Sequence, residues 1–138
     1  MSSTFKIFLN HKLKFKNLTN RYDNKYEIVR EFIKILDKKD NYTLSHSKRV
    51  KKYSIQLAKR LNLSNEEIEN IKCGSLIHDI GKLFIKNEIL NKQDKLTLSE
   101  YENVKKHPIF GYFILDKIDG FELIKKIVLD HHERIDGN

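Results

Sequence analysis

From Asn24 onward, apolar residues recur every three or four positions, and Pro108 is the only proline in 138 residues. That spacing is the period of an amphipathic helix, and so few breakers leave helices uninterrupted. Strand signals are weak. The expected fold class is therefore all-α, a helical bundle, with no internal repeat. One stretch departs from the pattern: Lys12-Leu13-Lys14-Phe15-Lys16 alternates, which fits a short strand or an extended arm. Residues 1–22 are basic and poorly periodic and read as a leader or linker remnant. Residues 23–138 read as the domain, and a chain of this length is a single domain. His11 lies in the leader, outside any motif, as an ordinary surface residue.

The elements follow from periodicity and caps. A helix is expected from about Asn24 to Lys38, with Ile28, Phe32, Ile35 and Leu36 on one face. Asp40-Asn41-Tyr42-Thr43 reads as a turn and cap. The next helix runs to about Leu61, with His46, Val50, Tyr53, Leu57 and Leu61 pointing inward. Ser64 with Glu67 forms a capping box for a helix through Ile68, Ile71, Ser75 and His78. Gly81 is expected to end or distort that helix. Residues 84–96 read as a connection. Thr97 with Glu100 caps a short helix that reaches His107, where Pro108 disfavours helical geometry and can start the next helix, Ile109 to about Leu115. The last helix carries Leu123, Ile127 and His131 on one face, and Asp136-Gly137 is a turn.

Composition narrows the function classes. The net charge is +8 and the isoelectric point is near 9.5, which favours anionic partners. The lysines are spread over every segment and mixed with glutamates, so most read as solvated surface. No finger spacing or aromatic-plus-basic module is present, so nucleic acid is not an expected partner. The single cysteine, Cys73, permits no disulfide within the chain, fits a reducing cytosol, and reads as a small core residue. No apolar run approaches a membrane span, and Phe5-Lys6-Ile7-Phe8-Leu9 is too short for a signal-peptide core. A cytoplasmic protein with no membrane partner is expected.

Five of the six histidines form a spaced series: His46, His78, His107, His131 and His132. Any one of them alone is best read as a satisfied core residue. Together they occupy four separate segments, and each buried imidazole must find a partner. Metal ligation satisfies several at once. In His78-Asp79, neighbouring helical side chains diverge by about 100°, so the pair can flank a metal. A carboxylate has two oxygens and can bridge two metals, which an imidazole cannot. His131-His132 can supply a second pair. Lys82 lies three residues after Asp79 and four after His78, so on a continuing helix it shares their face and meets a substrate phosphate. Such a set supports hydrolysis of a phosphate ester by a metal-activated water, with Asp79 and Lys82 as catalytic candidates.

Five ordered pieces carry a more specific likeness: Asp40-Asn41-Tyr42-Thr43-Leu44-Ser45-His46-Ser47, Ser75-Leu76-Ile77-His78-Asp79-Ile80-Gly81-Lys82, Ile89-Leu90-Asn91-Lys92, His107-Pro108 with Gly111-Tyr112, and His131-His132-Glu133-Arg134 before Asp136-Gly137. Over residues 40–138 the chain resembles the HD superfamily of metal-dependent phosphohydrolases, in particular its HD-GYP branch. The resemblance implies an HD-domain helical bundle and two divalent metal ions, iron or manganese being common. It implies hydrolysis of the bacterial messenger cyclic di-GMP. It implies that His46, His78 and Asp79 bind the first metal, that Asp79 bridges, and that His107, His131 and His132 hold the second. Lys82 would contact phosphate. Tyr42 stands where some members carry a glutamate that recruits a third metal, which implies two metals here. The family's Gly-Tyr-Pro motif is expected at about Asn138, with a further aspartate ligand and the last helices after it. Residues 23–138 therefore read as an HD domain lacking its C-terminal part. Two alternatives stay open: a hydrolase of another nucleotide or phosphoester, and a non-catalytic or truncated metal-binding or interaction domain that self-associates.

Overall fold

The computed structural model describes residues 24–39, 41–116 and 118–137, with the backbone alone for residues 41–44. The stretch 1–22 expected as a leader, with His11, and also Asp40 and the side chain of Tyr42 lie outside the described residues. The fold is all-α. Helix α1 spans Lys25–Asp37 and starts where the Asn24 side chain accepts the Tyr26 N–H at 2.8 Å. Helix α2 is Asn41–Arg60 and helix α3 is Asn65–Ile77. A 3-10 turn, Ile80–Phe84, leads to the one-turn helix α4, Asn87–Leu90. Helices α5 (Leu98–Val104), α6 (His107–Leu115) and α7 (Glu122–Asp130) follow. Both expected capping boxes are formed, Ser64 with Glu67 and Thr97 with Glu100.

The core lies between α1, α3, α6 and α7. Phe32, Cys73, Ile77, Leu115, Phe121, Ile124 and Val128 are shut off from solvent there. Helix α2 packs mainly along α3, and the 3-10 turn packs against α6. Gly81 and Gly111 set that last spacing. A Cβ on Gly81 would overlap the His107 carbonyl oxygen and stand 2.6 Å from the Gly111 nitrogen. One on Gly111 would come within 2.5 Å of Val128 Cγ1. Gly81 is thus required for close approach of two backbones, beyond its expected role at the end of α3.

Five expectations change. Asn41–Thr43 already belong to α2. Residues 84–96 contain α4, and His107 is itself helical, because Pro108 sits in the first turn of α6, where a missing N–H is no loss. On α2, Ser47 and Ala58 are buried while Tyr53, Leu57 and Leu61 are 63%, 59% and 62% exposed. Periodicity identifies an apolar stripe without saying which part of it a neighbour covers. On α7, Ile124 and Val128 face the core and Leu123 is exposed. No helix among the described residues is long and apolar enough to cross a membrane.

Candidate metal centre

The ends of three helices converge on one cleft of about 720 Å³. Each contributes a histidine held in the same way. His78, at the C-terminus of α3, has its Nδ1 2.9 Å from the Ser75 carbonyl oxygen. His107 Nδ1 is 2.8 Å from the Val104 carbonyl at the end of α5. His131 Nδ1 is 2.8 Å from the Val128 carbonyl at the end of α7. The last carbonyls of a helix lack intrahelical donors, and a carbonyl can only accept. Each Nδ1 therefore carries a proton and donates it three residues back. In a neutral ring this leaves Nε2 with its lone pair turned to the cleft, the arrangement a metal ligand needs.

Asp79 lies at the centre of these rings. Its Oδ1 is 3.2 Å from His107 Nε2 and 3.9 Å from His131 Nε2. Its Oδ2 is 3.4 Å from His78 Nε2 and 2.9 Å from Lys82 Nζ. Burial opposes ionisation of this carboxyl, but its contacts with His107 and His78 and the Lys82 ammonium at 2.9 Å outweigh it and hold Asp79 well below the usual carboxylate range. Burial lowers the pKa of His78, partly offset by Asp79, and lowers that of His131 to about 4, with His132, His78 and His107 adding to the shift. His132 is lowered by burial and by His107. A carboxylate beside His78 and His131, whose protonation burial disfavours, suits cation binding, because such ligands have fewer protons to release.

All six expected ligands come together, in two groups. His46, His78 and Asp79 offer donor atoms within 4.8 Å of one another, and so do His107, His131 and His132. Asp79 touches both, one oxygen to each. The donors also fit a cation by their repulsion. The Nε2 atoms of His107 and His131 are 3.1 Å apart. With both Nδ1 atoms donating to carbonyls, two lone pairs face each other unless a proton or a metal lies between them. Imidazole and carboxylate donors suit divalent transition metals. Lys82 reaches the site through a 3-10 turn rather than a continuing helix, with its N–H bonded to the Asp79 carbonyl at 2.9 Å. Residues i and i+3 of such a turn eclipse, which lays the ammonium over Asp79. The late aspartates Asp119, Asp130 and Asp136 stand outside both donor groups.

The sequence reading missed the cleft walls at Ser54 and Val104 and the three carbonyl acceptors, while Ile127, expected on the His131 face, is a further wall. The walls repeat at helical spacing beside the ligands, with Ser54 eight residues from His46 and Ile127 four from His131. Main-chain acceptors leave no residue-type signal.

Comparison with known proteins identifies the family. A family model described as HD domain matches residues 30–138. The 3'3'-cGAMP-specific phosphodiesterase 3 of Vibrio cholerae is 38% identical over 110 residues, covering 80% of this chain and 24% of that protein. The cyclic di-GMP phosphodiesterase PA4108 of Pseudomonas aeruginosa is 40% identical over 99 residues, 71% of this chain and 24% of that protein. A cyclic di-GMP phosphodiesterase of Thermotoga maritima is 32% identical over 135 residues, 96% of this chain and 37% of that protein. The chain thus spans between about a quarter and two fifths of the length of these relatives.

Proposed function

The chain belongs to the HD-domain family, and from that premise we propose that it is a metal-dependent phosphodiesterase of the HD-GYP branch acting on a cyclic dinucleotide, cyclic di-GMP or 3'3'-cGAMP. The observation that carries this reading is Asp79, one buried carboxylate whose two oxygens face different sets of imidazoles. The activities in the names of the relatives support the substrate class.

His46, His78 and Asp79 would hold one divalent ion, and Asp79, His107, His131 and His132 a second, iron or manganese. Bound there, such ions supply an acidified water and neutralise charge on the phosphoryl group. Asp79 keeps the two halves in register. The carbonyl-locked rings hold their Nε2 atoms toward the cleft without reorganising. Lys82, whose side chain is about one-fifth exposed at the cleft floor, brings an ammonium to a phosphoryl oxygen. Val50, Val104 and Ile127 give that cleft apolar walls, and its volume suits a ligand of dinucleotide size. Cys73 takes no part: it is buried in the core, and burial pushes its thiol up and away from the reactive thiolate.

Protein loaded with manganese or ferrous iron is expected to open cyclic di-GMP or 3'3'-cGAMP, assayed beside a panel of nucleotide phosphoesters. Asp79→Ala is expected to lower turnover at least about a thousandfold. No turnover of either cyclic dinucleotide with either metal, or an unchanged rate in Asp79→Ala, would overturn the proposal.

A further inference from the structure

We infer that the two halves of the centre are unequal: the half built on His107, His131 and Asp79 Oδ1 takes its ion first, and Lys82 opposes filling of the half built on His46, His78 and Asp79 Oδ2. This rests on the two-metal reading above, and not on the identity of the substrate. Metal–ligand bonds of about 2.0–2.2 Å place neighbouring donors roughly 3.0–3.6 Å apart. In the first half the donor separations are 3.1, 3.2 and 3.9 Å, so an ion needs only a few tenths of an ångström of adjustment. Both imidazoles are already oriented by their Nδ1 bonds to Val104 and Val128. A cation there also relieves the repulsion between lone pairs held face to face.

The other half presents a different obstacle. Asp79 Oδ2 is already engaged by the Lys82 ammonium at 2.9 Å, closer than His78 Nε2 at 3.4 Å. The 3-10 turn holds the two side chains eclipsed, so the ion pair is built into the backbone. An arriving dication must break it and then sit beside a positive charge, with the first ion already drawing on the same carboxylate. Filling this half releases Lys82 from Asp79 and turns its ammonium to the cleft. Loading of the second ion and capture of a phosphoryl oxygen are thereby coupled through one side chain.

The test is a titration of the metal-stripped 138-residue chain with Mn2+ alone, followed by electron paramagnetic resonance of the free ion and by calorimetry. Two steps separated by at least about tenfold are expected. Lys82→Met should tighten the second step at least about fivefold and leave the first unchanged. Lys82→Gln, with circular dichroism as the check on folding, should do the same. His46→Ala should abolish only the weaker step, and His131→Ala the tighter one. Equal steps, one ion per chain, or a second step indifferent to both Lys82 variants would overturn the inference. These are binding constants, so inactivity toward cyclic dinucleotides leaves them readable, and an active protein can still fail them.

Discussion

Helices α3 and α7 each serve two regions that obey different rules. Along one face Cys73, Ile77, Ile124 and Val128 join Phe32 in one core, out of contact with water. At the C-terminus of the same helices His78 and His131 turn into the cleft. The core is held by area and shape, and its residues need no specific partner. Each polar group of the centre costs free energy when buried and is tolerated because another group answers it. Stability is concentrated in the first region and the candidate ligands in the second. The Gly81–Gly111 crossing joins them, since the α6 backbone that brings His107 to Asp79 also carries Ile114 and Leu115 into the core.

The strongest way to test this division is Phe32→Ala. Loss of that fully buried ring is expected to cost about 3–5 kcal/mol in urea unfolding, while the folded fraction keeps its Mn2+ affinity. A matching loss of affinity would mean that the two regions are one. Gly81→Ala is expected to breach the division from the other side. The added methyl displaces α6, costing about 1–3 kcal/mol and weakening metal binding in the same variant. Acid should act on the centre first. The pKa of His131 is lowered to about 4 and that of His78 is also depressed, so the unfolded chain takes up protons near the ordinary histidine value that the folded chain refuses. Stability of the metal-free protein is then complete above pH 6.5 and declines as pH falls toward 4, by on the order of 3 kcal/mol. Unfolding curves at pH 7.5 and 5 check this, and a protein equally stable at both would break the comparison. The smallest effect belongs to Ser64→Ala, which removes the cap of α3 far from the cleft. It should cost about 1 kcal/mol with metal binding intact.

Much of this was legible in the residues. Capping boxes at Ser64 and Thr97 and the spacing of Ile28, Phe32 and Leu36 locate helix starts and a core face, because caps and periodicity are local. The histidine series points to a candidate site because so many imidazoles are hard to bury otherwise. What the sequence withheld depends on neighbours. Tyr53, Leu57 and Leu61 continue the stripe of His46 and Val50, yet α1 and α3 cover the flank at Ser47 and Ala58. On α7, Leu123 and Ile124 are both apolar, and only packing selects Ile124 for the core. Gly81 resembles a helix terminator until the His107 carbonyl is seen against it.

The three imidazole bonds to Ser75, Val104 and Val128 end on main-chain oxygens. The aim of the ligands is therefore set by the main chain, provided each helix holds its last turn, while the side chains of Val104 and Val128 answer to the cleft wall and the core. Warming attacks that proviso, since helix ends fray well before a core melts. The grip on metal should loosen with temperature ahead of global unfolding, which makes the centre a thermometer of three helix ends.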